Sequence, residues 1–233
     1  MAAWFSTWWS GIAEDFVKCF IKDERWMLLV DGLGVTVKVS LAAAILGLII
    51  GLIIAACNLS KIKIFNIIGK VYTDVIRGTP SVTQLMIIYF VVFATVHWEK
   101  WIIAAIAFAI NSGAYVSEIV RAGILSVEKG QTEAGKSLGL SSMQTMIYII
   151  IPQAAKNIFP TLGNEFITLI KETAIVGYVG LMDIQKAGDF IKSATYEAFM
   201  PLIGIAIVYF VLIKLLTLVL GMIEKQLRKS DIR

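Results

Sequence analysis

VSLAAAILGLIIGLIIAACNLS, residues 39–60, runs for 22 positions without an Asp, Glu, Lys or Arg, between Lys38 and Lys61. About 20 such residues in a helix match the hydrocarbon core of a bilayer, so the stretch predicts a membrane span. Ala43, Gly47, Gly51 and Ala55 fall at intervals of four within it. Small residues on one helical face let a second backbone come close, and close packing is what holds helices together in lipid. The span is therefore expected to have a tight neighbour, of unspecified identity.

The rest of the 233 residues agrees with that beginning. The chain is 58% apolar and 16% charged, with mean hydropathy +0.80, against roughly 45–50% and about 25% in soluble domains. That excludes an ordinary soluble enzyme and a disordered chain. The net charge of +4 is scattered along the sequence, so no nucleic-acid partner is expected. Cys19 and Cys57 are too few for a disulfide framework or a metal cluster. Neither catalytic nor metal-binding residues are expected.

Four more spans are predicted. One fills the 21 residues between Arg77 and Glu99, its helical pattern starting near Ile64. Another follows from Lys100 to Arg121. A fourth runs from Ser141 to Ile170, interrupted by Pro152, Lys156, Pro160 and Glu165. The last, Phe199 to Ile223, has Lys214 inside it. The expected fold is an all-α membrane protein with five transmembrane helices and its termini on opposite sides. Ten Lys and Arg flank the spans on the C-terminal side and seven on the other, which predicts N-out, C-in.

The organisation expected is an outer interfacial amphipathic helix over 1–27, a transmembrane domain over 28–225 and a cytoplasmic tail over 226–233. In the first segment Trp4, Phe5, Trp8, Trp9, Ile12, Phe16 and Phe20 recur at helical spacing, opposite Ser10, Glu14, Lys18 and Lys22. That pattern suits a helix lying flat in the interface. It lacks the basic start and apolar run of a cleaved leader.

Polar groups at membrane depth are costly and so are functional candidates. Asn157, Thr161, Asn164, Thr168 and Glu172 follow at intervals of three and four, with Glu165 alongside. The third span carries Asn111, Tyr115 and Glu118; the second carries Asp74, Arg77, Ser81 and Gln84. Any single one fits a hydrogen bond between helices. Three spans with such faces point to a translocation pathway. Pro80, with Gly78 before it, is expected to break the second helix, and Pro152 and Pro160 the fourth. Transporters build substrate sites from helices broken beside a charge.

Residues 130–137 read GQTEAGKS, a letter-for-letter phosphate-loop pattern. Such a loop works only between a strand and a helix, and here its flanks are two membrane spans, so it is set aside. Gly139 instead suits a helix C-terminus, and Ser141 with Gln144 a capping box opening the next helix. Thr132 to Leu138 is thus expected to be a short cytoplasmic helix.

Glu133-Ala134-Gly135, Gly139 and Ile151-Pro152 resemble the EAA loop of ABC importer permeases, with Gly135 where the pattern's third residue is usually Ala. Three further segments are similar to the polar amino-acid branch of that family. These are Arg77-Gly78-Thr79-Pro80 with Gln84, Asn111-Ser112-Gly113-Ala114-Tyr115 with Glu118 to Gly123, and Gly163-Asn164-Glu165-Phe166 with Lys171-Glu172-Thr173. That branch takes up histidine, glutamine, glutamate, arginine or cystine. The resemblance covers residues 33–220.

It implies a coupling helix over about 131–139, with Thr132, Glu133, Ala134, Gly135, Ser137, Leu138 and Gly139 docking on an ABC ATPase subunit. That subunit would carry ATP and Mg, leaving this chain without a cofactor. The other implied partners are a second permease copy, identical or not, an extracytoplasmic amino-acid-binding protein and the lipid of a bacterial inner membrane. Arg77 either offers its fork to a substrate carboxylate, pairs with Asp74, or steadies the break at Pro80. Glu165, with Asn164, accepts the ammonium or a cationic side chain. Gly78, Thr79, Pro80, Gln84, Ser112, Tyr115 and Thr168 complete the candidate substrate set. Glu118 and Arg121, one turn apart, read as a structural or gating ion pair. The rival readings are a permease of this architecture for another small solute and a secondary transporter driven by an ion gradient. ATP dependence of uptake separates the second from the rest.

Overall fold

The computed structural model describes residues 11–228, and all regular structure among them is helical. The chain forms α1 (Trp26–Leu59), α2 (Lys63–Arg77) and α3 (Ser81–Ile87, prolonged by a π turn Ile88–Val92). Then come α4 (Lys100–Leu125), the short α5 (Lys129–Ser137) and α6 (Ser142–Thr145), which passes through a π turn Met146–Ile150 into α7 (Ile151–Glu172). A 3-10 stretch Thr173–Val179, α8 (Ile184–Thr195) and α9 (Phe199–Arg228) complete it. Among the described residues three helices, α1, α4 and α9, are long and apolar enough to cross a membrane; α2 and α3 make a fourth if counted as one span bent by 105°.

α1 begins well before the uncharged run and includes Asp31 and Lys38. The Lys38 ammonium lies 3.8 Å from the centre of the Trp101 ring, an attraction that offsets part of its desolvation. The neighbour of the small-residue stripe is α4. A Cβ on Gly47 would stand 3.2 Å from that of Ser112, one on Gly51 would overlap Val116, and one on Gly113 would fall 2.7 Å from Ile50. Around this seam Val39, Ala43, Leu85, Ala104, Phe108 and Leu169 form a buried cluster.

Pro152 and Pro160 do not break the fourth predicted span, which corrects the expectation. Pro152 sits in the first turn of α7, where a missing N–H matters little, and the π turn before it absorbs the change of register. Pro160 forfeits one bond inside α7, and the helix continues on both sides.

The expected interfacial helix lies partly outside the described residues. Trp4, Phe5, Trp8 and Trp9 lie outside the described residues. Residues 11–16 are helical and continue in a π turn, Val17–Ile21. Phe16 is exposed, but Phe20 is buried with Cys19 among Ile184, Ile191, Met200 and Ile205. Its ring fills the space over Gly204, 2.6 Å from where a Cβ would be. A protein socket removes more apolar area from water than an interface does.

Asp183, fully buried, caps α8, accepting from the backbone N–H of Lys186 at 3.0 Å and of Gln185 at 3.3 Å. A Cβ on Gly32 would fall 2.7 Å from the Asp183 carbonyl, so α1 meets this cap backbone to backbone. Burial pushes the Asp183 carboxyl up to about 6, the two N–H bonds opposing. The folded state thus binds this proton more tightly than the unfolded one. Its contribution to stability is complete below about pH 4 and lost as pH rises through about 6. Asp183→Asn keeps a capping oxygen and removes the titration. The melting temperature in detergent should then lose its decline between pH 4 and 7, a decline worth about 3 kcal/mol in the wild type. Identical pH profiles for both proteins would refute this account.

Candidate functional site

The face of α4 that carries Ser112, Tyr115 and Glu118 gathers charged groups from two other helices. From α7, Glu165 approaches Ser112, whose hydroxyl donates to the carboxylate at 3.4 Å. From the end of α2, the Arg77 guanidinium lies 5.4 Å from the centre of the Tyr115 ring and 4.0 Å from Glu118. Positions one turn apart on a helix are about 5–6 Å apart, so an anion and a cation stand close together on one wall. Arg77 is about half-exposed.

Among the described residues the carboxylate beside Arg77 is that of Glu118, not Asp74. Glu118 is already held by Arg121, which donates from Nε at 3.0 Å and from Nη2 at 2.8 Å. The ion pair read from the sequence is therefore formed, and Arg77 reaches the same carboxylate at the longer distance of 4.0 Å.

The break that presents Arg77 is tied by Gln84. α2 ends where the Gly78 N–H donates to the Asp74 carbonyl at 2.9 Å, and Pro80 is the extended residue before α3. The two hydrogens of the buried Gln84 amide are shared among the carbonyl of Ile76 at 2.6 Å, the carbonyl of Thr79 at 3.1 Å and the Thr79 hydroxyl oxygen at 2.6 Å. Its own oxygen accepts from Asn111 at 2.9 Å. Carbonyls freed by the bend are thus satisfied inside the protein, as a break at membrane depth requires. Gln84 stands behind the site, with its hydrogen-bonding capacity filled.

Asn157, Thr161, Asn164 and Thr168 lie exposed along α7, while Glu165 and Glu172 are half-buried. Thr168 donates to the Asn164 carbonyl at 3.1 Å. The polar strip read from the spacing is open on the surface of this chain.

The 129–144 region matches its sequence reading closely. α5 covers Lys129–Ser137, Leu138 follows as its cap, and Gly139 has φ +81°, the left-handed conformation that favours glycine. Both halves of the capping box are made: the Gln144 N–H donates to Ser141 Oγ at 3.2 Å and the Ser141 N–H to Gln144 Oε1 at 2.9 Å. Glu133, Ala134 and Ser137 are exposed, Thr132 is half-buried, and Leu138 is 79% exposed. Gly135 is buried; a Cβ there would fall 2.8 Å from Thr145 and 3.0 Å from Ile149. Glycine in place of alanine lets α5 rest against the start of the next helix. The phosphate-loop letters are helical here, so their amides bond within the helix rather than cradling an anion.

Residues 47–229 match the family model of the binding-protein-dependent transport system inner membrane component. The chain belongs to this family. As such a component it is the membrane permease of an ABC transporter rather than its ATPase, and membership implies a binding protein and an ATPase as partners. The chain is 41% identical to the arginine transport system permease protein ArtQ of Bacillus subtilis (strain 168), covering 87% of this chain and 94% of that one. It is 34% identical to the glutamine transport system permease protein GlnP of Escherichia coli (strain K12), covering 86% and 93%. Among solved structures it resembles one described as an amino acid ABC transporter with histidines, at TM-score 0.82 and 41% identity, over 89% of this chain and 98% of that one.

Proposed function

We propose that this inner-membrane permease is one of two membrane-spanning subunits of an ATP-driven importer. It carries a polar or charged amino acid received from an extracytoplasmic binding protein. The observation that most supports this reading is the pair of opposite charges, Arg77 and Glu165, on either side of the Ser112–Tyr115 turn. The names of the arginine and glutamine permeases support an amino acid as cargo.

An amino acid must exchange water for partners before it enters a membrane. Arg77 offers the carboxylate a bidentate fork. Glu165 takes the ammonium or a cationic side chain, with Asn164 and Thr168 beside it and Ser112 and Tyr115 as the wall. Gly78, Thr79 and Pro80 keep the bend open, and Gln84 holds it in shape. Glu118 and Arg121 form the gate or its brace.

In this reading the chain crosses five times, N-out and C-in, through α1, the bent α2–α3, α4, the α6–α7 unit and α9. α7 is too polar to resemble a lipid-facing span because its strip faces a wet passage. Residues 1–27 are the outer interfacial segment, 28–225 the translocating unit and 226–233 the tail. α5 with Leu138 and Gly139 is the coupling helix, docking on the ATPase through Thr132, Glu133, Ala134, Ser137 and Leu138. ATP and Mg sit on that ATPase subunit, and this chain binds no cofactor. Closure of two ATPase subunits shifts the coupling helices, and each ligand acts by favouring one conformation.

Reconstituted vesicles containing this permease, its ATPase and the binding protein test the reading. Labelled amino-acid uptake should require both ATP and the binding protein, and uptake driven by an ion gradient alone would overturn it. Glu165→Gln removes a charge-assisted contact, about 2 kcal/mol or roughly thirtyfold in uptake. Unchanged uptake and selectivity would remove Glu165 from the site.

A further inference from the structure

The connection between α3 and α4 carries rings and a charge that the proposed passage does not use. It encloses a cavity of about 530 Å³, walled by Tyr89, Phe90, Phe93, His97, Trp98 and Lys100 among others. That volume is ordinary for a small-ligand site. Lys100 supplies a fixed positive charge and His97 a ring N–H, and no carboxylate lines the space. Glu99, next to Lys100, instead accepts from the indole N–H of Trp101. No hydrogen bond or ion pair reaches the Lys100 ammonium or the His97 ring among the described residues. The ammonium lies 3.0 Å from where a Cβ on Gly180 would stand, so the glycine there leaves the lysine arm its place.

Depth narrows the ligand. Residues 78–98 hold no Asp, Glu, Lys or Arg, and Glu99 and Lys100 end that run. The cavity therefore lies at the border where hydrocarbon gives way to water. Trp98 stands at this border, its ring 5.6 Å from that of Phe93, as aromatic rings do at membrane interfaces. Further along α3, Ile87, Phe90 and Val91 are 50%, 52% and 71% exposed. Positions three and four apart share one face of a helix, so an apolar strip leads away from the cavity, with Phe90 belonging to both. A soluble anion has no use for the strip, and an uncharged chain has none for Lys100. A ligand matched to both is anionic at one end and apolar at the other.

We propose that this cavity is a binding site for an anionic phospholipid. The phosphate sits on Lys100 and His97, and the acyl chains run along Ile87 and Val91. An unpaired cation beside a cleft between membrane helices is the arrangement that attracts an acidic headgroup. The site stands at the far end of α3 from the bend at Gly78–Pro80, about 18 Å of helix away, and shares no residue with the candidate cargo set. The inference requires only that the chain is a membrane permease, whatever solute it carries.

The experiment uses the assembled transporter in phosphatidylcholine vesicles, with a trace of phosphatidylglycerol that carries a photoreactive group in its acyl chain. Illumination should label this chain within residues 87–103, read by peptide mass spectrometry. Unlabelled phosphatidylglycerol should displace the label about fivefold more effectively than added phosphatidylcholine, the ratio expected of one basic residue near an anionic headgroup. Lys100→Gln should abolish that preference and Lys100→Arg should keep it. Lys100 is exposed at the start of α4, and an unchanged melting temperature marks both variants as folded; the competition on the wild type needs no variant. Equal displacement by the two lipids overturns the proposal and leaves ordinary annular lipid, as does a folded Lys100→Gln that keeps the preference. Glycerol phosphate displacing the label as well as phosphatidylglycerol overturns it in favour of a soluble anion. Absence of label from residues 87–103 overturns it too and assigns the cavity to a protein partner or to none.

Discussion

Replacing Glu133 by Lys is expected to leave the permease folded and inserted but to cut ATP-driven uptake roughly a hundredfold. Glu133 is exposed on α5, away from the Gly135 face that packs on Thr145 and Ile149, so the substitution does not disturb the fold. In the proposed coupling role, reversing a charge within the docking surface costs about 3 kcal/mol of association, somewhat more than a hundredfold in affinity. The measurement is twofold: ATPase retained on the purified permease, and labelled uptake in vesicles. Loss of both, with melting temperature unchanged, is the expected pattern. Uptake at the wild-type level would remove α5 from the coupling role.

The second large effect is structural. Gly51→Leu is expected to destabilise the folded permease by about 3 kcal/mol, the upper part of the range for overpacked cores. A Cβ at this position already overlaps Val116 and lies 3.1 Å from the Gly113 carbonyl. Relief therefore requires α1 and α4 to separate along the seam lined by Gly47, Ser112 and Gly113. The control is Gly34→Ala on the same helix, where a Cβ would meet nothing within 4 Å; there helix propensity alone acts, a gain of about 1 kcal/mol. Thermal unfolding of the two variants in the same detergent checks the contrast. Equal melting temperatures would show that the seam yields.

Those two positions also show which features are legible in the amino-acid sequence alone. The Gly47–Gly51 stripe, Gly139 and the Ser141–Gln144 box are local signals. A missing side chain, a left-handed residue and a reciprocal cap act over one helical turn and need no distant partner. The bend at Gly78–Pro80 is legible for the same reason. What fails depends on tertiary context. Pro152 and Pro160 signal a break, but a π turn and an N-terminal position absorb one and the surrounding ladder the other. Phe20 belongs to an amphipathic stripe, and only the gap over Gly204 decides that it turns inward.

The candidate site divides along the same line. Ser112, Tyr115, Glu118 and Glu165 are readable as charges and hydroxyls at helical spacing, and the fold brings them together. Gln84 is readable as a polar residue at depth but not as the tie across the bend, because its acceptors lie on the preceding helix and at the break. Asp183 escapes a reading by spans. A short capped helix after an irregular stretch has neither the length nor the apolarity of a span, although an Asp just before a helical pattern is its one available signal.

The bare Gly135 surface has a mechanical meaning. With no side chain between them, α5 and the first turn after Ser141 make one stiff crank, and α7 continues from it as the shaft. In the proposed coupling role, a push delivered at Glu133 would turn into tilt along that shaft and arrive at Asn164 and Glu165. On that proposal stroke and grip share a single piece of the machine, so slack introduced at the elbow would weaken hold on the cargo even where every atom around the cargo is untouched.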